Sequence, residues 1–154
     1  MSRSFGLDAA SALEEFRTAV KRFGVDDLNE DLARDCAYKA WHLCDHAWQA
    51  RGSNSPFASL RKLQTHARRA CPELAYLQDI CTESKHGEIT KYTPSIKEAR
   101  HHSGDFCRED FSSEDFDTSR LEIELPDGRT VPFDNVISRA LEFWSDFFES
   151  HAIT

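Results

Sequence analysis

Four side chains suited to acid–base chemistry at a phosphate lie in two short strings of this sequence. His42 and Asp45 belong to Trp-His-Leu-Cys-Asp, whereas Lys85 and His86 end Asp-Ile-Cys-Thr-Glu-Ser-Lys-His. Histidine can exchange a proton near neutral pH, lysine can stabilise phosphate charge, and a carboxylate can orient an imidazole. We therefore expect His42 and His86 as acid and base, Lys85 on the phosphate, and Asp45 as the group that orients His42.

The first string lies in a helix that the periodicity predicts from Leu28 to about Ala50. Its apolar side chains cover more than half of the helix surface, which predicts that this helix is central in a bundle. The rest is a narrow polar stripe of six residues: Asp35, Tyr38, His42, Asp45, His46 and Gln49. We expect Asp35, Tyr38 and Gln49 to contribute to binding, together with Arg61 of the next helix.

Three interpretations of this stripe are open. It can face water and keep the helix hydrated, or it can face a cleft in which His42 is a general base or a phosphate contact. In the third interpretation, His42 and His46 form an i,i+4 metal pair with a carboxylate as third ligand. That spacing also occurs in HExxH metal sites, but the glutamate of that motif is absent here.

The other basic strings can also be explained without a binding site. Lys85 and His86 can interact with a helix dipole instead of a phosphate. Arg61 and His66 lie about 140° apart on an ideal helix, which favours a solvated basic face. The sequence has no glycine-rich phosphate loop, GxSxG motif or zinc-ribbon spacing, and no cofactor is predicted.

The two strings, Trp-His-Leu-x-Asp and Asp-Ile-x-x-x-x-Lys-His, resemble those of a group of small bacterial and phage helical proteins with no assigned activity. In that group a hairpin and an aromatic helix follow the strings. The resemblance covers about residues 30–150 and implies a shared fold.

More distantly, a helical bundle with a Lys-His or Arg-x4–6-His string resembles the HEPN class, which includes RNA-cleaving toxins and defence proteins. That resemblance implies contact with RNA or a nucleotide and a metal-independent ribonuclease activity. It also implies a homodimer, because such ribonucleases often act as dimers. This sequence departs from the class in placing Arg61 and His66 in its third helix, and it has Thr82 where Asn is common.

The whole chain, residues 1–154, is predicted to be one mainly α domain, a four- to five-helix bundle with a β-hairpin before the last helix. Residues 8–87 form the predicted bundle core. The first helix is predicted over 8–23 and ends at Gly24, Asp26 or Asp27 caps the second, and Pro56 and Pro72 begin the next two. The fourth helix is predicted to end at Lys85-His86-Gly87.

Residues 88–118 are predicted to be a long loop region, with Glu88–Tyr92 as a short extended piece. Residues 119–133 form a hairpin, because alternating apolar residues flank the Asp127-Gly128 turn. The last helix is predicted over 134–150, with its cap near Asp134.

Charge is distributed unevenly along this 154-residue chain, whose net charge is −8. Residues 51–102 carry 9 basic and 5 acidic residues, whereas residues 103–154 carry 4 basic and 13 acidic residues. The basic middle can bind a local anionic ligand, or it can simply balance the charge of the segments that pack against it. The alternative function is a non-enzymatic inhibitor or antitoxin-like module, in which acidic residues 105–117 bind a basic protein.

The remaining sequence patterns bear on the cellular compartment of the protein. The five cysteines form no CxxC pair, and no apolar run is long enough for a signal peptide or a membrane span. We therefore expect a cytoplasmic protein with no membrane partner.

Overall fold

The computed structural model describes residues 8–51, 55–82, 88–92 and 119–153. The helices in these ranges are α1 (Ala9–Val25), α2 (Glu30–Arg51), α3 (Leu60–Ala70), α4 (Pro72–Cys81) and α5 (Phe133–Ser150). The strands are β1 (Glu88–Tyr92), β2 (Arg120–Glu124) and β3 (Thr130–Pro132). The predicted fold class, mainly α with a β-hairpin before the last helix, is confirmed.

The start of α2 differs from its prediction. The side-chain oxygen of Asn29 accepts a hydrogen bond from the Leu32 N–H at 3.1 Å, which satisfies one of the unpaired N–H groups of the first turn. Asp26 accepts a hydrogen bond from the Asn29 side chain instead, at 3.0 Å. The prediction of Asp26 or Asp27 as the cap is therefore wrong, because the Asn side chain caps equally well at the later position.

Other helix boundaries also differ from their predictions. Helix α1 continues through Gly24 to Val25, because a single glycine costs a helix only about 1 kcal/mol. Helix α3 begins after Ser59, whose hydroxyl accepts a hydrogen bond from the N–H of Lys62, and not at Pro56. The predicted start of α4 at Pro72 is confirmed, but its predicted end at Lys85-His86-Gly87 is wrong. Helix α4 ends at Cys81, because Thr82 caps it with a backbone N–H that bonds the Gln78 carbonyl.

The sheet is antiparallel with the order β1-β2-β3. Ile123 of β2 pairs with Ile89 of β1 on one side and with Val131 of β3 on the other. Residues 88–92, predicted as a short extended piece of a long loop, therefore add a third strand to the predicted hairpin. Ile89 and Ile123 are buried, and the sheet packs against α4 and α5.

Helix α2 is the central helix, as its broad apolar arc predicts. It packs against α1, α3, α4 and α5, and its small residues Ala33, Ala37, Ala40 and Ala47 are fully buried. The indole N–H of buried Trp144 in α5 donates a hydrogen bond to the Ala40 carbonyl at 2.9 Å. Burial of a large apolar side chain contributes about 1.5–3 kcal/mol, so the many rings of this core dominate its stability.

Among the described residues, none of the helices combines the length and the apolar character needed to cross a membrane.

Candidate nucleic-acid interface

The predicted polar stripe of α2 lies along an outward side of this helix, which we call the ridge. Tyr38 keeps 57% of its surface exposed and Gln49 is exposed, while His42, Asp45 and His46 are half-buried. These exposures place the stripe at the surface and not inside a closed cleft.

His42 is the most constrained residue of this ridge. Its ring stacks on the Tyr38 ring with a centroid distance of 4.0 Å, and its Nδ1 lies 2.9 Å from the Tyr38 carbonyl oxygen. A carbonyl oxygen only accepts hydrogen bonds, so the neutral imidazole carries its proton on Nδ1. The lone pair is then on Nε2, which can accept a proton or bind an electrophile.

The orienting role predicted for Asp45 belongs to Tyr38. Within the described parts of the chain, Asp45 makes no hydrogen bond to His42. The physical reason is helix geometry, because the carbonyl at i−4 lies directly within reach of the His42 Nδ1. The expected partners Lys85 and His86 lie outside the described residues, as does the acidic segment 105–117.

The residues that the structure describes supply no third metal ligand beside His42 and His46. Among the described residues, no group of three or more His, Cys, Asp or Glu side chains is arranged to hold a metal ion. His42 and His46 are therefore a pair of neighbouring histidines on the ridge, without an added carboxylate from the described residues.

A groove of about 330 Å³ runs between α1 and α2 beside the ridge. Its lining includes Glu14, Glu15, Arg22, Asp35 and Lys39. The Lys39 ammonium is paired with the Asp35 carboxylate at 2.6 Å, so part of this charge is already neutralised. With three carboxylates against two cations, the groove is unsuited to an anionic ligand.

The surface best suited to an anion is on α3. We call the side chains of Arg61, Lys62, Arg68 and Arg69 the basic face; α3 contains no acidic residue. The side chains of Arg61, Lys62 and Arg69 are exposed, and these side chains make no ion pair or hydrogen bond with any residue that the structure describes. Their positive charge is therefore available to a ligand.

Arg68 connects the basic face to the central helix. Its guanidinium carbon lies 5.6 Å from the centre of the Trp41 ring, and its N–H groups reach the side-chain oxygens of Gln78 and Thr65 at 3.3 and 3.4 Å. All three partners are neutral, so they orient the guanidinium without cancelling its charge.

Aromatic rings adjoin the basic face at His66 of α3. We call them the ring cluster: Phe57, His66, Phe143, Phe147 and His151. The Phe57 ring lies 5.0 Å from the His66 ring, and the His151 ring stacks on Phe147 at 4.0 Å. His66 is exposed, and Phe57 and His151 are half-buried, so the cluster has an outer layer that reaches solvent.

His151 repeats the arrangement of His42. Its Nδ1 lies 2.9 Å from the Phe147 carbonyl oxygen, four residues earlier, so this imidazole also carries its proton on Nδ1 when neutral. Arg51 donates a hydrogen bond to the His151 carbonyl at 2.7 Å and ties the end of α2 to the residues that follow α5.

Of the residues of this surface, the sequence analysis predicted only Arg61 to contribute to binding. Lys62 and Arg69 were missed although a local signal existed, since no acidic residue interrupts α3. Phe57 and His151 had no such signal, because neither lies on a regular helical face with the basic residues. No protein-family model, curated protein or solved structure matches this chain.

Proposed function

We propose that this chain is a HEPN-like helical domain that binds RNA or a nucleotide through the basic face of α3. The observation that supports this most strongly is the uncompensated charge of that face. Phosphate groups supply the matching negative charge, and arginine is well suited to them because its planar guanidinium donates two parallel hydrogen bonds.

The charged side chains outside α3 differ from those of the basic face in that several of them form ion pairs. Five ion pairs occur among the described residues, and none of them involves α3: Arg17–Glu14, Arg34–Glu30, Lys39–Asp35, Arg120–Glu122 and Arg129–Asp127. The chain as a whole has a net charge of −8 and repels a polyanion on average, so we expect a polyanion to bind at the basic face.

The test is the affinity of fluorescently labelled single-stranded RNA, measured by fluorescence polarisation. The triple substitution Arg61→Ala, Lys62→Ala and Arg69→Ala should weaken binding at least about tenfold. It should also flatten the dependence of log affinity on log salt by about 2, since each lost phosphate contact contributes about 0.7.

A matched control has the same change in net charge. Lys21, Arg22 and Arg139 are also exposed cations but lie outside α3. Their triple alanine variant should keep its affinity within about threefold of the wild type. Equal losses in the two variants would show a nonspecific charge effect, and no loss in the α3 variant would refute the proposal.

Cleavage of the bound RNA is a separate part of the proposal and depends on Nε2 of His42 as the proton acceptor. Wild type incubated with labelled RNA in EDTA should then produce fragments, and His42→Ala should slow this at least about 100-fold. Tyr38→Phe is the control, because it keeps both the ring and the carbonyl that hold His42. Intact RNA after incubation with the wild type would refute the proposed cleavage but not the proposed binding.

A further inference from the structure

The ring cluster and the basic face meet at His66. This residue is four positions after Lys62 and three before Arg69, so both cations are its neighbours on the surface of α3. The same imidazole lies 5.0 Å from Phe57 and 6.3 Å from Phe147. A ligand phosphate on Lys62 or Arg69 therefore lies beside an aromatic surface.

The outer rings of the cluster come from three separate parts of the chain. Phe57 precedes α3, His66 is within α3, and His151 follows α5. Phe147 is buried and belongs to the core, so it supports the outer rings from below. The stack of Phe147 with His151 and the hydrogen bond from His151 Nδ1 hold the His151 ring in place.

We infer that the outer rings of this cluster, Phe57, His66 and His151, stack with an unpaired nucleobase, so that the ligand of the basic face is single-stranded RNA. This inference rests on the proposed function, because the phosphates of the same strand occupy α3. Aromatic side chains stack with any base, and one such contact raises affinity about tenfold. In a duplex the base faces are covered by neighbouring bases, and only phosphates and sugars remain for the protein.

The length of the basic face limits the number of nucleotides of a single strand that it can bind. Arg61 and Arg69 are eight residues apart, which is about 12 Å along a helix. That span accommodates about three phosphates of one strand. The expected site is therefore short, about three to four nucleotides, with one base beside His66.

The experiment compares three labelled probes by fluorescence polarisation: a single-stranded RNA hexamer, an abasic hexamer with the same sugar-phosphate backbone, and a short RNA duplex. Wild type should bind the intact hexamer about tenfold more tightly than the abasic one, and more tightly than the duplex. Phe57→Leu and His66→Ala should each reduce the preference for the intact hexamer to below about threefold while leaving affinity for the abasic hexamer unchanged.

His66 is exposed, so His66→Ala tests the inference even if Phe57→Leu impairs folding. His46→Ala is the matched control, a histidine on the α2 ridge that should keep the preference intact. Equal affinity for intact and abasic hexamers, or tighter binding of the duplex, would overturn base stacking while the phosphate contacts of the proposed function remain. Failure of every probe to bind would overturn both.

Discussion

Tyr38 and His42 form a stacked pair in which the side-chain rings lie 4.0 Å apart and the His42 Nδ1 lies 2.9 Å from the Tyr38 carbonyl oxygen. This hydrogen bond selects the tautomer with its proton on Nδ1. Two-dimensional ¹H–¹⁵N NMR at pH 8.5, where ordinary imidazoles are neutral, should therefore show a protonated Nδ1 and an unprotonated Nε2 for His42.

His151 should have the same NMR pattern, because it stacks on Phe147 and bonds the carbonyl of that residue at 2.9 Å. His46 is the internal control, since its ring makes no hydrogen bond within the described ranges and should follow the tautomer mixture of free imidazole. A protonated Nε2 at His42 would contradict the hydrogen bond and remove its proposed role as a base.

Trp144→Phe should lower the free energy of unfolding by about 1–3 kcal/mol in urea denaturation. The substitution removes the indole N–H that bonds the Ala40 carbonyl and leaves a space between α5 and α2. Trp48→Phe is the control, because Trp48 is half-buried and its N–H has no partner among the described residues. It should cost less than about 1 kcal/mol; equal costs would show that the hydrogen bond contributes nothing specific.

Gly128 and Gly24 should respond in opposite directions to alanine. Gly128 has φ +90° in the hairpin turn, so Gly128→Ala should destabilise the fold by about 1 kcal/mol or more through backbone strain. Gly24 lies in α1, so Gly24→Ala should stabilise by about 0.5–1 kcal/mol. An added Cβ meets no atom within 4 Å at either site, so thermal unfolding of the two variants measures backbone conformation alone.

Stability should fall in alkaline solution because of the buried thiols. Desolvation raises the pKa of Cys36 to about 12, raises that of Cys71 and Cys81 to about 11, and also raises that of Cys44. Between pH 9 and these values the unfolded chain loses thiol protons that the folded chain keeps. The free energy of unfolding is therefore unaffected by the thiols below pH 9 and decreases above it, by at most about 1.4 kcal/mol per pH unit and thiol.

The double variant Cys36→Ala and Cys44→Ala provides the check. Urea unfolding under reducing conditions at pH 8, 9.5 and 10.5 should give a shallower alkaline decline for this variant than for the wild type. Identical slopes would indicate that the thiols ionise equally in both states.

Most of the elements could be predicted because their signals are local. The alternation on either side of Asp127-Gly128 predicts the hairpin, Pro72 marks the start of α4, and the apolar arc of α2 predicts its central place. Helix ends were less predictable, since several capping residues occur near each end. Asn29 caps α2 although Asp26 and Asp27 precede it.

The candidate site was only partly predictable for a related reason. Spacing along one helix placed Tyr38 and His42 side by side, and the absence of acidic residues from α3 indicated a basic surface. The partner of His42 depends on the conformation of its side chain, and only the three-dimensional structure shows that this partner is the Tyr38 carbonyl and not Asp45.

By itself, the sequence determined the helices, the hairpin and the charge of α3, because these properties depend on residues within about four positions of one another. Tertiary structure alone decided that Phe57, His66 and His151 meet beside that charge. These residues are distant in sequence, and they come together only because α3 and α5 pack around the same core. The periodicity of the sequence does not predict such a contact, because the contact is produced by the packing of the whole chain.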